Sequence, residues 1–251
     1  MTANEPDGSA RDIEDALTLR VVERIADIDP SIWDALAGTD PDGGSTNPFV
    51  RHAFLRCLED SGSLGRRSGW LPQHLVLENA AGRILGVAPA YLKGHSQGEY
   101  VFDYGWANAF ERAGGRYYPK LQLSVPFSPV TGPRLLVGSG DAADALRAAL
   151  CEGIRGYVSS TGVSSAHATF LQAKDLAAME ELEFLHRTDQ QFHFRNRGYA
   201  SYDEFLETLA SRKRKGLRKE RREAVSGGIE IVRLTGTELT EEAWDAFFRF
   251  Y

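Results

Sequence analysis

Cysteine is scarce in this chain. Only Cys57 and Cys151 occur among 251 residues, and neither lies in a CxxC or CxxH spacing. This argues against a disulfide framework or a structural zinc site, and it predicts a reducing, cytoplasmic location. No run approaches the roughly 18 apolar residues of a membrane span, and the acidic N-terminus lacks the regions of a signal peptide. We therefore expect no transmembrane segment.

Several catalytic motifs are missing as well. The six histidines are scattered and none falls in an HExxH pattern, so the sequence predicts no metal site. It contains no Gly-x-Ser-x-Gly elbow and no GxxxxGK loop. These absences argue against serine hydrolases and P-loop NTPases, because each chemistry depends on the missing motif.

Two glycine motifs resemble phosphate-binding loops. Arg83-Ile-Leu-Gly86-Val-Ala88 matches the Q/R-x-x-G-x-G/A pattern with which many acetyltransferases hold a coenzyme A pyrophosphate. That pattern needs a helix N-terminus, and here it lies inside a predicted hairpin strand, so we interpret it as structural. The segment 138–143 does follow a strand and open a helix. Because Asp141 and Asp144 would add negative charge there, helix capping is favoured over phosphate binding.

Charge is distributed unevenly. The net charge is −6, yet residues 1–45 hold 11 acidic and 3 basic side chains, and residues 211–222 hold eight basic and one acidic. The basic run predicts a surface for an anion, and a solvated helix face is the alternative. If it met about six phosphates of a nucleic acid, affinity would fall on the order of a thousandfold between about 50 and 200 mM salt. The proposed anion-binding residues are Lys213, Lys215, Arg218 and Arg222.

Hydrophobic periodicity predicts that strands and helices alternate, in an α/β or α+β class with a mixed, mostly antiparallel sheet flanked by helices. We expect a disordered acidic tail over 1–16, a first domain over 17–200 and a basic connecting helix over 201–228 that begins with a capping box. The predicted strands include 99–106, 133–137 and 186–196. The predicted helix at 201–224 is continuous.

The sequence pattern near the C-terminus resembles that near the N-terminus. The segment IEIVRLTGTELTEEAWDAF has the same pattern as LRVVERIADIDPSIWDAL, and each predicts a strand, a turn and a helix with Trp-Asp-Ala on the helix. The offset between Trp33 and Trp244 is 211 residues. If the repeat is real, residues 229–251 begin a second copy of the domain, which predicts that this sequence is a fragment.

Several long segments together resemble one family. They are NPFVRHAFL, GWLPQHLVLE, GVAPAYLKGHSQGEYVFDYGWA, GGRYYPKLQLSVPFSPVTGPRLL and QFHFRNRGYASYDEFLETLASRKRKGLRKERREA. Over about residues 47–228 the chain resembles the FemAB-like proteins of the GNAT acyltransferase superfamily, which are associated with peptidoglycan biosynthesis or recognition. The resemblance implies two GNAT-like domains in tandem and no metal.

The resemblance also implies a reaction. In Fem-type transferases an amino acid passes from aminoacyl-tRNA to an amine of a cell-wall precursor. The expected function is therefore transfer of an acyl or aminoacyl group to an amine, with acyl-CoA or aminoacyl-tRNA as donor and no certain cofactor. The expected partners are an anionic or nucleotide-linked substrate and tRNA, but not DNA. The alternative is a non-catalytic recognition module that binds a nucleotide-linked precursor or RNA.

The acceptor amine sets the demand on catalysis. A lysine-type amine is neutral in about one molecule in 2,500 at pH 7, a penalty of roughly 4.6 kcal/mol that a general base would offset. The candidate catalytic residues are Asp103, Tyr104 and His193.

Residues 125–136 contain three prolines within a β-like run. Such an interruption predicts splayed strands and free backbone N–H groups that could polarise an acyl carbonyl, and an irregular edge strand is the alternative. The candidate substrate-binding residues are Tyr117, Tyr118, Lys120, Ser128, Thr131, Gly132, Arg134 and Gln191.

Overall fold

The structure is a computed structural model that describes residues 16–38 and 47–251. These residues form two compact units, the first ending at Thr188 and the second beginning at Asp189. The predicted acidic tail lies outside the described residues except for its last position. Within the described ranges, no helix combines the length and apolarity that crossing a bilayer requires.

Strands and helices alternate through the first unit, with short 3-10 turns at Ile25–Asp27 and Pro48–Val50. The elements in chain order are β1 (Thr18–Val22), α1 (Pro30–Ala37), α2 (His52–Asp60), β2 (Trp70–Pro72), β3 (His74–Glu78), β4 (Ile84–Ala88), β5 (Ala90–Lys93), α3 (Tyr104–Arg112), β6 (Lys120–Leu123), α4 (Ala143–Thr161), β7 (Ala166–Ala168) and α5 (Ala173–Glu181).

The strands form two sheets with the orders β1-β3-β4 and β2-β5-β6-β7. Every pair is antiparallel except β6 with β7, which is parallel. Pro89 separates β4 from β5, because proline cannot donate to a ladder. Gln73 lies between β2 and β3, and its N–H donates to the Ala90 carbonyl of β5 at 2.8 Å. The predicted mixed, mostly antiparallel arrangement with flanking helices is confirmed.

One face of the second sheet is apolar and the other is polar. Leu121 and Leu123 of β6 pack into the main core with Leu146, Leu150 and Ile154 of α4. Side chains alternate across a strand, so the residues between these leucines point to the opposite face. That face carries Trp70, Tyr91, Lys93, Lys120, Gln122 and His167, which share it through the registers of β2, β5, β6 and β7.

Gly86 lets α4 lie close against β4. A Cβ built at this position would be 3.1 Å from Leu150 Cδ1 and 3.2 Å from Val137 Cγ1. Gly86 belongs to β4, a strand of the first sheet. The predicted position of this motif's glycine in a hairpin strand is therefore confirmed.

The second unit contains α6 (Tyr202–Glu207), α7 (Ser211–Ala224), a 3-10 turn at Gly236–Glu238 and α8 (Glu241–Phe250). The predicted continuous helix over 201–224 is thus wrong, because α6 ends at residue 207. There the Thr208 hydroxyl donates to the Phe205 carbonyl at 2.7 Å and satisfies an acceptor that a further helical turn would have used.

Three predicted strands are also wrong. Residues 99–103 are irregular and lead directly into α3. In 133–137 only Leu136 pairs, with Val87 of β4, so this segment is an edge bridge rather than a strand. Residues 186–196 contain no strand. In this segment Glu99 and Asp103 accept hydrogen bonds from the buried Lys120. These side-chain bonds hold the segment in place of the β-sheet pairing that its β propensity predicted.

The internal repeat has a local structural counterpart. The 3-10 turns begin at Ile25 and Gly236, and the helices α1 and α8 follow N-caps at Asp29 and Thr240, so each pair is 211 residues apart. Residues 229–234, however, form no strand. Trp33 is fully buried and Trp244 is 51% exposed. The start of a second domain at residue 229 stays a prediction.

Two glycine-to-alanine substitutions test the packing of α4. We expect Gly86→Ala to lower the free energy of unfolding by about 1–3 kcal/mol, because its Cβ must displace Leu150 and Val137. Gly156 lies in α4 with nothing within 4 Å of a built Cβ. Gly156→Ala should therefore raise stability by about 0.5–1 kcal/mol. Urea denaturation measures both, and equal stability of Gly86→Ala and the parent would contradict the packing argument.

Candidate functional site

Lys120 is a buried cation at the start of β6. Its Nζ donates to Glu99 Oε2 and to Asp103 Oδ2, each at 2.8 Å, and to Ser96 Oγ at 2.9 Å. The side chains of Lys120, Glu99 and Asp103 are at most 2% exposed. A buried ammonium is tolerated only when its charge and all its donors are matched, and here three acceptors match three N–H bonds.

A second lysine lies beside the first on β5. Lys93 Nζ donates to the Gln97 carbonyl at 2.9 Å and is 3.9 Å from Glu99 Oε1. It also lies 3.7 Å from the centroid of the Trp70 ring, which is a cation–π contact. Lys93, Lys120, Glu99 and Asp103 form what we call the ion cluster. It contains two cations and two anions.

Burial and pairing shift the pKa values of the ion cluster in different directions. Desolvation lowers the pKa of Lys93 to about 8, although the Glu99 charge opposes this. Desolvation also raises the pKa of Glu99. Burial acts in the same sense on Asp103, but hydrogen bonds from Lys120, Ser96 and Tyr117 together outweigh it and lower the pKa of that carboxyl.

Two tyrosines border the ion cluster. The Tyr117 hydroxyl donates to Asp103 Oδ2 at 2.9 Å, and the Tyr118 hydroxyl lies 2.8 Å from Ser96 Oγ. Desolvation is the main cause of the raised pKa of Tyr117. The Asp103 carboxylate, which accepts a hydrogen bond from the phenol, raises this pKa further. Both phenols are half-buried, so they connect the buried charges with the surface.

Exposed aromatic side chains lie on both sides of Asp103 along the chain. Five of them lie in the segment 100–110 and are 49–73% exposed. Of the nine residues of α3, only Ala107 is buried. Such a patch is unusual on a monomer surface and is typical of a binding surface. The five are Tyr100, Phe102, Tyr104, Trp106 and Phe110.

The structure thus brings together four sequence-predicted residues, namely Asp103, Tyr117, Tyr118 and Lys120. Asp103 was expected inside a strand, and it instead occupies the N-cap position of α3 without a side-chain capping bond. Tyr104 follows it in α3 and is 49% exposed. Asp103 Oδ2 accepts hydrogen bonds from both Tyr117 and Lys120.

The proline-interrupted segment is more ordered than expected. The N–H groups of Ser128 and Gly132 donate to the carbonyls of Val125 and Phe170, at 3.4 and 3.0 Å. These two amides are occupied by the protein's own acceptors, so neither is a free donor for an acyl carbonyl. Thr131 is exposed, and its carbonyl lies 3.4 Å from the Asn47 amide nitrogen.

Arg134 is fully buried and holds this segment together. Its guanidinium donates to the carbonyls of Val130, Pro133 and Thr169 at 2.6–3.1 Å. Desolvation lowers its pKa to about 10. The Asp175 carboxylate accepts instead from the backbone N–H of Arg134. These hydrogen bonds use the guanidinium to hold the backbone of the segment together.

The remaining predicted residues lie in the second unit. His193 Nε2 is 3.1 Å from Gln191 Oε1, and His193 is exposed. On α7, Arg218 pairs with Asp203 at 3.4 Å. At about 100° per residue, Lys215, Arg218 and Arg222 fall within roughly 60° of one another, whereas Lys213 lies about 180° from Arg222. The four anion-binding candidates therefore do not share one helix face.

Sequence reasoning missed Lys93, Glu99 and Ser96. The available signal was the alternation through β6 and the residue after it, where Lys120, Gln122 and Ser124 alternate with apolar residues. That pattern predicts one polar face. It does not say that the face is buried.

Among the described residues, no group of three or more His, Cys, Asp or Glu side chains is arranged to hold a metal ion.

Comparison with known proteins gives one match. The family model FemAB-like, described as peptidoglycan biosynthesis/recognition, matches residues 24–251. No curated protein and no solved structure matches the chain.

Removing the central cation tests the ion cluster. Lys120→Met leaves two buried carboxylates without their main partner, so we expect a loss of about 3–5 kcal/mol in the free energy of unfolding. Lys219→Met is the matched control, because Lys219 is 68% exposed and its ion pair among the described residues is an exposed one with Glu223. It should change stability by less than about 1 kcal/mol. Similar losses for both variants in urea denaturation would show that the cluster is not coupled to folding.

Proposed function

The chain belongs to the FemAB-like family, and from this premise we propose that it transfers an acyl or aminoacyl group to an amine of a peptidoglycan precursor. The family description points to peptidoglycan biosynthesis or recognition. The observation that carries the finer proposal is the Tyr117–Asp103–Lys120 chain of hydrogen bonds, which runs from a half-buried phenol to a buried ammonium. Such a chain can accept a proton from an attacking amine.

The proton would move along two hydrogen bonds in one concerted step. As the amine nitrogen forms its bond to the acyl carbon, its N–H bond breaks and the proton passes to the Tyr117 oxygen, while Tyr117 gives its own proton to Asp103 Oδ2, which already accepts its hydrogen bond at 2.9 Å. The leaving group departs with the electron pair of the acyl bond. The proton then returns from Asp103 through Tyr117 to the leaving-group atom, which restores the carboxylate. Lys120 holds that carboxylate in place.

The raised pKa of Tyr117 fits this role. Desolvation, together with the neighbouring Asp103 charge, disfavours the phenolate, so Tyr117 stays neutral and donates its proton only as it receives another. The donor would be aminoacyl-tRNA or an acyl-CoA. Because aminoacyl-tRNA and nucleotide-linked precursors are made in the cytoplasm, we place the reaction there. Tyr104 and His193 stay candidate catalytic residues.

Removal of one hydroxyl tests this proposal. In the full chain, Tyr117→Phe should lower kcat on the order of a hundredfold or more, since the relay loses its first oxygen while all four charges of the ion cluster remain. The acyl product is measured by mass spectrometry after incubation with an amine acceptor and either aminoacyl-tRNA or acyl-CoA. Tyr157→Phe is the control, because its hydroxyl bonds Gln73 on a different part of the unit.

Two results would contradict the relay. One is unchanged kcat in Tyr117→Phe, and the other is an equal loss in Tyr157→Phe. Failure of the parent protein to form product with either donor would remove the transferase proposal and favour the alternative below.

The alternative is a recognition module that binds a nucleotide-linked precursor or RNA without turnover. The basic helix α7 favours it, because Lys215, Arg218 and Arg222 form an exposed stripe. Arg221 lies with its guanidinium carbon 4.6 Å from the Tyr202 ring centroid, and such a pair can also stack on a base.

Substitutions on the exposed stripe of α7, measured at several salt concentrations, test whether this helix binds RNA. The double variant Lys215→Ala/Arg222→Ala should weaken tRNA binding about tenfold or more and flatten the dependence of affinity on salt, because it removes two phosphate partners. Lys213→Ala, which changes the opposite side of the helix, should weaken binding much less. Equal effects of the two variants in a fluorescence anisotropy titration would show that α7 attracts anions without a defined face.

A further inference from the structure

The helix α3 exposes a row of apolar residues, which we call the apolar stripe. Trp106 and Phe110 are 65% and 52% exposed, and Ala109 and Ala113 are exposed as well. These four positions follow the i, i+3, i+4, i+7 spacing with which a surface helix normally faces a protein core. At about 100° per residue they span roughly 100° of the helix circumference. The helix α3 therefore presents to solvent the side that most helices bury.

The opposite side of α3 is polar. Asn108, Glu111 and Arg112 lie about 140–240° around the helix from Trp106. Because Ala107 is the one buried residue of α3, the helix contacts the rest of its unit along a narrow flank. The first unit thus carries a short amphipathic helix whose apolar and polar sides are both accessible.

Contacts at both ends hold α3 in place. Asp103, which precedes the helix, accepts a hydrogen bond from the buried Lys120 at 2.8 Å. Arg116, four residues beyond the end of the helix, donates to the carbonyl of Gly162 at 2.7 Å. The apolar stripe is therefore presented by a segment that is already ordered, which lowers the entropic cost of binding.

The exposed charges beside the apolar stripe are mostly positive. Arg112 and Arg116 lie at the C-terminal end of α3, and the Arg187 guanidinium donates to the Phe102 carbonyl at 3.2 Å. Within α3 these three exposed cations face one exposed anion, Glu111. The whole chain has a net charge of −6, so this region is cationic on an acidic protein. A cationic, apolar surface is complementary to an anionic one with an apolar interior.

The size of the aromatic patch favours a lipid surface over a second copy of the chain. Its five aromatic side chains, in residues 100–110, are 49–73% exposed. At roughly 150–250 Å² for each side chain, they expose roughly 450–750 Å² together. A stable dimer buries about 800 Å² on each partner, and Tyr104 lies about 160° around the helix from Trp106, so one partner would cover only part of the patch. An amphipathic helix at a bilayer has no such threshold, because its affinity grows with apolar area and lipid charge.

Charge and composition distinguish α3 from two other exposed helices. Trp244 and Phe247 of α8 are 51% and 61% exposed, but that helix carries three acidic side chains and one basic, so an anionic surface would repel it. The basic helix α7 contains no aromatic residue that could insert. The charged residues of α8 are Glu241, Glu242, Asp245 and Arg249.

We propose that α3 is a peripheral anchor for an anionic lipid bilayer. The apolar stripe lies at the boundary between headgroups and acyl chains, where tryptophan side chains are favoured. Arg112, Arg116 and Arg187 extend from its border to the lipid phosphates. Binding is reversible, since one short helix buries little apolar area. It needs no turnover, so the anchor is independent of the proposed transferase reaction.

A matched pair of charge substitutions tests the anchor. Ala109→Glu places a carboxylate in the apolar stripe, and Asn108→Glu places the same charge on the polar side of the same helix. Both positions are exposed, so both variants should keep the urea midpoint of the parent. On vesicles of phosphatidylglycerol and phosphatidylcholine in equal parts, Ala109→Glu should lower the partition coefficient about tenfold more than Asn108→Glu does, because only its charge enters the bilayer. Co-sedimentation of the full chain with the vesicles measures both.

Tryptophan quenching shows which part of the protein meets the bilayer. Trp33 and Trp70 are fully buried, so Trp244→Phe leaves Trp106 as the one exposed tryptophan of the four in the chain. In this variant, vesicles made with brominated phosphatidylcholine should quench the fluorescence of Trp106. Electrostatic attraction through α7 alone would bind the protein to the vesicles and leave that fluorescence unchanged.

Four results would overturn the anchor. The first three are equal vesicle binding by Ala109→Glu and Asn108→Glu, vesicle binding without quenching of Trp106, and no binding of the parent to the anionic vesicles. The fourth is a parent dimer in light scattering that dissociates in Ala109→Glu, which would assign the apolar stripe to a contact between two copies of the chain.

Discussion

The burial of Lys120 is the constraint on which the surrounding structure depends. An ammonium group without water must find acceptors for all its N–H bonds, and β6 places this one on a buried sheet face. Ser96, Glu99 and Asp103 supply them from a single segment that precedes α3. The path of that segment, the position at which α3 begins and the placement of Tyr117 all follow from this requirement.

Much of the fold could be predicted from the sequence because it depends on local pattern. Leu146, Leu150 and Ile154 recur at helical spacing and do form the buried side of α4. The tight packing at Gly86 agrees with the interpretation of its motif as structural. Residues 99–103 were misassigned for a physical reason. Their β propensity is real, but propensity is a weak preference beside the hydrogen bonds of a buried ion.

The site was only partly predictable because its contacts are long-range. Asp103, Tyr117, Tyr118 and Lys120 were chosen for their chemistry, whereas Lys93 and Glu99 carry no local signal that they meet. Arg134 illustrates the reverse case, since a cation beside a proline-rich turn resembles a ligand-binding group and its guanidinium instead binds three carbonyls. The residue type indicates what a side chain can do, and only the tertiary contacts decide which task it performs.

The contact between Gly98 and the Phe127 ring restricts how this region can vary. Phe127 itself has a φ of +57°, and its ring lies 5.5 Å from that of Trp70. Because no room remains for a side chain at position 98 while an aromatic ring occupies position 127, the two positions cannot diversify independently. Because its φ of +78° would strain a side chain at position 98 even beside a smaller residue at position 127, glycine is the residue that this turn requires.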